Sequence, residues 1–428
     1  ETFHGSQGSS CGGHLNKHIN IKDYPCGTGK TTSMIKEFQQ NKKYLVILPF
    51  LSEVKRVIDQ SKPILFEQPT TDENEHNTKT ESIKELLLTG QNIATTHNMY
   101  ERLVRLAREG LLDDYHIIID EVPDVVKSVS SKTKTSIEEF YLKTGYIELE
   151  ETGLVSPTNK WRQNKEEVSD TLNSKILSYA ETGCLYLLGE HMFVWAMPSE
   201  LLSAGLSVTI MTYKSEGSLL TSYLNKLSLP CFISTSEFKE RHFKAAASEL
   251  IDLQDIPSIS KLNLSHSGQT KGMSQYSYYS KISGALKNLR SRQLKGVHLD
   301  DILVTCKKDA WFKQENKAGV FAKDSKMFQA NWIANTTRGT NDYAHCSHLI
   351  YLYDQHVNPV VGRWVNNSSR SFDDAYALTE LIQWVWRSRV RRGEPITLYL
   401  PAPRMRRIFL DWLDDDYNII HSQIRLAA

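Results

Sequence analysis

The sequence predicts two consecutive α/β domains, each built on a parallel sheet that helices cover on both faces. Short apolar strands alternate with helix-like segments from residue 19 onward, and the alternation resumes in the last third of the chain. Within residues 98–108, Met99, Leu103 and Leu106 recur at helical spacing. A chain of 428 residues has room for two or three domains of about 150 residues each.

The predicted elements follow from this alternation. In the first domain, strands are expected at 19–23, 44–49, 92–96, 115–119 and 207–212, and helices at 31–40, 52–60, 82–88 and 98–108. In the second domain, strands are expected at 301–305, 348–353 and 396–400, with a helix at 372–392.

Composition changes suggest the domain boundaries. Residues 1–18, rich in Gly, Ser and His, are expected to form a flexible arm. The first domain is expected to span 19–235 and to carry an insertion at about 128–200, where polar runs interrupt the alternation. Residues 236–285 show little periodicity and are interpreted as a connector, and 286–428 as the second domain.

Charge and cysteine usage exclude several classes of protein. The chain has 51 Lys and Arg against 50 Asp and Glu, which excludes a uniformly basic or acidic protein but allows a local basic groove. The apolar runs are far shorter than the ~18 residues that span a bilayer, and no signal peptide is recognisable, so we expect a cytoplasmic protein with no membrane partner. The six cysteines form no Cys-x-x-Cys pair, which argues against structural zinc.

A glycine-containing loop at 24–32, Tyr-Pro-Cys-Gly-Thr-Gly-Lys-Thr-Thr, follows a predicted strand and opens a predicted helix. Gly27 and Gly29 allow backbone N–H groups to surround phosphate oxygens, Lys30 would neutralise the β- and γ-phosphates, and Thr31 would bind Mg²⁺. The alternative is a chance glycine turn before a helix. The candidate nucleotide-binding residues here are Gly27, Thr28, Gly29, Lys30, Thr31 and Thr32.

Two adjacent acids directly follow the apolar strand predicted at 115–119. Active groups gather at the carboxyl ends of parallel strands, so Asp120 would hold Mg²⁺ through water and Glu121 would orient and deprotonate the attacking water. An ordinary solvated strand end is the alternative. Together with Lys30, the pair predicts hydrolysis of a nucleoside triphosphate, with ATP and Mg²⁺ as ligands.

The predicted helix at 372–392 carries Gln383, Arg387 and Arg391 at positions i, i+4 and i+8, which would share one helix face. Such a row is typical of arginine fingers that reach the nucleotide of a neighbouring domain, because a guanidinium group binds phosphate bidentately. The alternative is a solvated basic helix end.

Together these motifs resemble the superfamily 2 DExD/H-box helicases, in particular the compact helicase-like proteins of phages. The segments similar to motifs I, Ia, Ib, II, III, IV, V and VI are, in that order, 24–32, 48–50, 94–97, 120–123, 209–212, 304–307, 336–341 and 383–391.

Some positions depart from the family pattern. Tyr24 stands where motif I has Gly, and Trp386 stands where motif VI has Gly. The second arginine of motif VI falls on Val390, so either Arg389 or Arg391 would take its place. The unusual distance between motifs II and III supports the insertion.

The resemblance implies two RecA-like lobes in tandem, with the insertion in lobe 1, that close around ATP. It implies nucleotide contacts from Gly339 and Asn341 in motif V, and single-stranded nucleic acid running across the tops of both lobes. The expected function is an ATP-dependent helicase or translocase on single-stranded or forked nucleic acid, with DNA favoured over RNA. The expected location is the cytoplasm, or the host cytoplasm if viral. A monomer is favoured, and the oligomeric state stays open. The candidate strand-contacting residues are Pro49, Thr95, Thr96, His97, Thr305 and Thr336.

Two other functions compete with this one. A DNA-packaging motor would add a nuclease, but the acids at 373–374 and 414–416 do not follow successive strands. A non-catalytic, nucleotide-gated scaffold would not need Lys30, Asp120 and Glu121 together. The direction of translocation and the role of the insertion stay open.

Overall fold

The computed structural model describes residues 19–71, 78–129, 137–164, 171–189, 192–314, 317–337 and 340–414. The predicted arm at 1–18 lies outside these residues. The strands in chain order are β1 (Ile19–Asp23), β2 (Lys43–Leu48), β3 (Ile93–Thr96), β4 (Tyr115–Asp120), β5 (Val126–Val129), β6 (Ile147–Leu149), β7 (Val155–Pro157), β8 (Leu185–Leu188), β9 (Met192–Ala196), β10 (Ser207–Thr212), β11 (Cys231–Ser234), β12 (Ile251–Gln254), β13 (Ile302–Thr305), β14 (Phe312–Gln314), β15 (Lys317–Ala318), β16 (Asn331–Trp332), β17 (His348–Tyr351) and β18 (Ile396–Tyr399).

Helices separate most of these strands, and we refer to them by their residues. The α-helices are Lys30–Glu37, Leu51–Gln60, Lys79–Leu88, His97–Tyr100, Val104–Arg108, Asn159–Gln163, Thr171–Glu181, Ser199–Ser203, Leu219–Lys226, Glu237–Leu250, His266–Gly272, Tyr276–Ser291, Lys308–Trp311, Val320–Ser325, Pro359–Trp364, Arg370–Val385 and Pro403–Leu413. Single π or 3₁₀ turns lie at Glu138–Leu142, Ser215–Gly217, Leu299–Asp301 and Arg389–Arg392. In the described part of the chain, no helix has the length and apolar character needed to cross a membrane.

Lobe 1 contains a six-stranded sheet in the order β11-β1-β10-β4-β2-β3, and all of its strand pairs are parallel. Its central strands are almost continuously apolar because helices cover both faces; in β2, residues 44–48 are all buried. The carboxyl ends of β1, β10 and β4 lie side by side, which brings the glycine loop and the paired acids to one edge of the sheet.

Lobe 2 contains a five-stranded sheet in the order β12-β18-β17-β13-β16, again with every pair parallel. Large buried side chains, including Trp311, Trp384 and Phe409, fill the core around it. Every strand predicted for the two domains is present in these two sheets, with bounds that agree to within two residues.

Between β4 and β10 the chain leaves lobe 1 and forms a small antiparallel sheet in the order β5-β9-β8, with a β6–β7 hairpin beside it. This part has its own apolar cluster, in which the rings of Tyr141, Trp161 and Phe193 pack together. The predicted insertion in lobe 1 is therefore confirmed as a separately packed subdomain.

The segment 236–285, expected to be a connector, differs from that expectation. It contains β12, which pairs with β18 at the edge of the lobe 2 sheet, and the long helices Glu237–Leu250 and Tyr276–Ser291. The apolar positions that anchor these elements, such as Phe243 and Leu286, are few and widely separated among polar residues. Tertiary packing therefore supports elements that show little local periodicity.

Two segments cross between the lobes. The coupling loop, residues 213–217, follows β10 of lobe 1, and its Tyr213 is buried in the apolar cluster of lobe 2 against Phe243. The arch, residues 354–369, leaves lobe 2 after β17 and carries the helix Pro359–Trp364, whose apolar side chains are buried in the cluster of lobe 1. Each lobe thus contributes to the core of the other.

Candidate active site

The glycine loop forms a sharp turn between β1 and the helix that starts at Lys30. Gly27 and Gly29 adopt φ angles of 76° and 77°, a left-handed conformation that side chains disfavour. A Cβ atom on either glycine would meet no heavy atom within 4 Å, so open space lies beside the loop. Thr28 does not face this space, because its hydroxyl donates to the Pro25 carbonyl at 2.9 Å.

Lys30 and Thr31 connect the loop to the neighbouring strand ends. The Lys30 ammonium donates to the carbonyl oxygens of Tyr24 at 2.8 Å and Thr212 at 3.2 Å, which holds it between the ends of β1 and β10. The Thr31 hydroxyl donates to Asp120 Oδ2 at 2.8 Å. The threonine and the aspartate expected to share a metal ion therefore lie in direct contact.

The paired acids end β4 in different conformations. Burial, followed by repulsion from Glu121, raises the pKa of Asp120 to about 6, although Thr31 and Lys30 favour its charged form. Glu121 has a φ of 65°, which costs a side-chain-bearing residue about 1–2 kcal/mol. Its N–H donates to the Met211 carbonyl at 2.9 Å, and His97 Nε2 donates to the Asp120 carbonyl at 2.9 Å. These contacts hold Glu121 in its strained conformation. Strained backbone of this kind is common at functional sites.

Lobe 2 closes the site from the other side. The predicted helix at 372–392 is shorter than expected, because the α-helix ends at Val385 and a 3₁₀ turn follows at Arg389–Arg392. Gln383, Arg387 and Arg391 nevertheless all line the cleft that faces the glycine loop. Arg389 points elsewhere, since its Nε donates to the Pro395 carbonyl at 2.7 Å.

The cleft between the lobes has a volume of about 210 Å³. Four cations line it, Lys30, Arg56, Arg387 and Arg391, against the carboxylates Glu53, Asp120 and Glu121. Among the described residues, no group donates a hydrogen bond to the buried Gln383 Oε1. A glycine-lined cradle and a surplus of cations fit a triphosphate, and Thr31 with Asp120 offers the oxygen ligands that Mg²⁺ prefers. The Gln383 amide oxygen is an acceptor and can take a hydrogen bond from water.

Two charged residues of the cleft were not predicted from the sequence. Glu53 and Arg56 lie on the helix Leu51–Gln60, and Arg56 donates to Thr32 Oγ1 at 2.9 Å and pairs with Glu53 at 3.2 Å. From lobe 2, Asn341 donates to Glu53 at 3.4 Å and accepts a hydrogen bond from Arg391. A continuous polar chain therefore joins the glycine-loop helix to Arg391 across the cleft. Gly339, also expected at the nucleotide, lies outside the described residues.

The candidate strand-contacting residues do not form one surface. Pro49 lines the cleft beside the glycine loop, and His97 Nε2 donates to the Asp120 carbonyl. Thr95, one residue before the end of β3, and Thr305, at the end of β13, are buried. Thr96 is half-buried, and Thr336 is exposed.

The coupling loop ties the glycine-loop strand to lobe 2. Asp23, at the end of β1, accepts hydrogen bonds from the backbone N–H groups of Lys214 and Ser215, both at 2.8 Å. On the other side, Thr379 donates to the Lys214 carbonyl at 3.3 Å, and Gly217 lies against the helix Arg370–Val385. This is the helix that carries Gln383.

Tyr24, which departs from the family pattern, also contacts lobe 2. The Lys239 ammonium, on the helix Glu237–Leu250, lies 4.4 Å from the centre of the Tyr24 ring. This cation–π contact adds a second link between the glycine loop and the opposite lobe.

Comparison with known proteins places the chain among similar sequences and folds. Residues 245–413 match the family described as the YonV C-terminal Rossmann-like domain. The chain is 24% identical over 416 residues to the SPbeta prophage-derived uncharacterized protein YonV of Bacillus subtilis (strain 168), covering 93% of this chain and 99% of that protein. The relation to a prophage protein agrees with the resemblance to phage proteins noted above.

Several solved structures are similar in fold. S. tokodaii Xpd4 has a TM-score of 0.51 at 12% identity, over 92% of this chain and 94% of that one. An XPD helicase has a TM-score of 0.49 at 13% identity, over 94% and 95%. S. cerevisiae Dbp5 bound to RNA and ADP BeF3 has a TM-score of 0.40 at 12% identity, over 94% and 84%. The predicted fold class, two RecA-like lobes in tandem, is confirmed; identity at this level establishes the fold alone.

Proposed function

We propose that this protein is an ATP-dependent helicase or translocase of superfamily 2, which hydrolyses ATP between its two lobes to move along single-stranded nucleic acid. One observation carries the proposal: Lys30, Asp120 and Glu121 of lobe 1 and Gln383, Arg387 and Arg391 of lobe 2 line the same cleft. Residues separated by more than 260 positions meet there, and a lysine, paired acids and arginines around one cleft support a role in triphosphate hydrolysis.

The residues of the cleft divide the chemistry between them. Lys30 and the N–H groups of the glycine loop bind the phosphates, and Thr31 with Asp120 would hold Mg²⁺. Bound Mg²⁺ would supply charge neutralisation at the phosphates. Glu121 orients water and accepts its proton, while Arg387 and Arg391 stabilise the charge that develops on the transferred phosphoryl group. We propose Arg391, rather than Arg389, as the second finger, since Arg389 binds the Pro395 carbonyl.

Movement on the strand follows from lobe closure. The fingers lie on lobe 2 and the glycine loop on lobe 1, so binding of ATP favours the closed state and hydrolysis releases it. We propose single-stranded DNA as the partner, with the exposed Thr336 and the half-buried Thr96 among the groups that contact its phosphates.

Steady-state ATP hydrolysis, measured with and without single-stranded DNA, tests the proposal. Lys30→Ala should abolish turnover, because it removes the positive charge at the phosphates. Lys36→Ala is the matched control, since Lys36 is exposed on the same helix, outside the cleft. Glu121→Gln should bind nucleotide but not hydrolyse it. Turnover by Lys30→Ala equal to that of the wild type would refute the assignment of the site.

Strand displacement on tailed DNA and RNA duplexes tests the motor. Unwinding that requires ATP supports it, and preference for RNA would overturn the choice of DNA. ATP-dependent cleavage products would favour a packaging enzyme, and nucleotide binding without turnover would favour a scaffold.

A further inference from the structure

A large cavity lies in lobe 2, beneath the arch. Its walls are the arch itself and three segments of lobe 2, residues 261–267, 335–336 and 372–376. Its volume, about 1350 Å³, exceeds the ~300–1,000 Å³ of typical small-molecule pockets. We refer to it as the arch cavity. Its size suits a segment of an extended polymer better than a single metabolite.

Cationic side chains on opposite walls line the arch cavity. Lys261 lies on one wall, Arg363 lies on the arch, and Arg370 directly follows the arch. All three side chains are exposed. Within the described residues, none of the three forms an ion pair with a carboxylate, and Arg363 donates only to the Pro359 carbonyl of its own helix, at 3.2 Å. These charges are therefore available to a ligand.

The two carboxylates at the cavity wall, Asp354 and Asp373, already have basic partners. Arg404 contacts Asp354 at 2.9 Å and Asp373 at 2.5 Å. His356 contacts the same two carboxylates, at 3.4 Å and 2.7 Å, and hydrogen bonding to Asp354 raises the pKa of its imidazole. The unpaired charges that line the cavity, among the described residues, are therefore the cations Lys261, Arg363 and Arg370, which would attract a polyanion.

Neutral donors accompany the cations. Exposed amide and hydroxyl groups of Asn263, Ser267 and Ser368 line the cavity, and they are joined by Thr336. Arginine, lysine, serine, threonine and asparagine side chains are all groups that contact nucleic-acid phosphates. Thr336 was already a candidate for strand contact, and it is the one member of that set that lines the cavity.

We infer that the arch cavity binds the sugar–phosphate backbone of single-stranded nucleic acid, with Lys261, Arg363 and Arg370 as phosphate-contacting residues. This inference rests on the proposed function and extends it to residues outside the motifs of the helicase pattern. It assigns the arch, which crosses to lobe 1, a direct role in holding the strand.

The helix Arg370–Val385 links this cavity to the nucleotide cleft. Its first residues line the arch cavity, and Gln383 in its last turn lines the cleft. Sixteen residues at ~1.5 Å each make a rigid element of about 24 Å. A strand held at one end is thus mechanically connected to the nucleotide at the other.

Fluorescence anisotropy of a labelled oligothymidylate, measured without ATP between about 50 and 200 mM salt, tests the inference. The test variant combines Lys261→Gln, Arg363→Gln and Arg370→Gln. The control combines Arg241→Gln, Lys287→Gln and Arg292→Gln, three exposed cations of the same region outside the cavity. Thermal unfolding of both variants confirms that they fold.

The expected result is a loss of at least about tenfold in affinity for the test variant. The slope of log affinity against log salt should also fall by about 2, since each lost contact to a single strand removes about 0.7. The control should bind like the wild type. Equal affinities and slopes for the test variant and the wild type would overturn the inference while leaving the proposed ATPase untouched.

Two further outcomes separate the alternatives. Failure of the wild type to bind any oligonucleotide would contradict the nucleic-acid part of the proposed function as well. Displacement of the oligonucleotide by poly-glutamate as effectively as by unlabelled strand would identify a general polyanion site, and would overturn the assignment to nucleic acid.

Discussion

Gly217→Ala tests whether the coupling loop positions the fingers. A methyl group on Gly217 would lie 2.3 Å from the Ala375 carbonyl oxygen and 2.3 Å from Thr379 Oγ1. Because ordinary van der Waals contact begins at 3.4 Å, the loop and the helix Arg370–Val385 must separate by about 1 Å. Thr379 precedes Gln383 by one helical turn, so this separation displaces the lobe 2 side of the cleft.

The expected effect is larger on catalysis than on stability. Overpacking of this kind costs about 1–3 kcal/mol, whereas a displacement of about 1 Å between reacting groups can cost ~10²-fold in rate. We therefore expect Gly217→Ala to lower ATP turnover by about 10²-fold in a protein that still folds. The assay is steady-state ATP hydrolysis, with far-UV circular dichroism to monitor the fold.

Gly284→Ala provides the matched control. Gly284 lies inside the helix Tyr276–Ser291, and a Cβ atom there would meet nothing within 4 Å. The change should stabilise the helix by about 0.5–1 kcal/mol and leave turnover unchanged. A folded Gly217→Ala variant that hydrolyses ATP at the wild-type rate would show that the coupling loop does not set the position of the fingers.

Three other changes give separate outcomes. Arg391→Ala should lower turnover by about 10³-fold or more, whereas Arg389→Ala should not; the reverse result in the same ATPase assay would exchange their roles. His356 has a raised pKa because it binds Asp354. Its contribution to stability is therefore present below about pH 6.5 and disappears as pH rises through the raised value. The thermal unfolding temperature of His356→Gln should lack this change with pH. Trp364→Ala should cost about 3–5 kcal/mol in denaturant unfolding and expose the arch to proteolysis, and an intact arch would contradict its anchoring role.

The parallel sheets and the lobe 1 half of the site could be predicted because the sequence patterns that indicate them are local. Buried parallel strands are continuous apolar runs, as in β2 and β4, and the glycine loop must combine glycine, lysine and threonine within a few residues. The paired acids Asp120 and Glu121 were recognisable because the apolar strand before them was itself recognisable.

The remainder depends on tertiary contacts. The row of Gln383, Arg387 and Arg391 was inferred from an uninterrupted helix; the helix ends at Val385, and the turn after it still brings the three side chains to one cleft. Arg56 reaches the cleft because its helix starts at the carboxyl edge of the sheet. The predicted position of β2 would have been enough to place the start of this helix at that edge.

The buried threonines show that a position at the end of a strand does not identify a ligand-contacting residue. Thr305 ends β13 with a fully buried side chain, so the last residue of a strand need not present its hydroxyl to a ligand. The strand β12, with the sequence Ile-Asp-Leu-Gln, is too short for its alternation to stand out from its polar neighbours. Its assignment required knowledge of its partner, β18.

The exchange of Tyr213 and Trp364 between the lobes affects how the molecule unfolds. The indole of Trp364 lies 5.1 Å from the ring of Tyr186 and 4.6 Å from the Lys226 ammonium, both outside lobe 2. Melting of one lobe therefore withdraws a large aromatic side chain from the other. The two lobes are expected to denature as one cooperative unit, and neither would be complete if expressed without its neighbour.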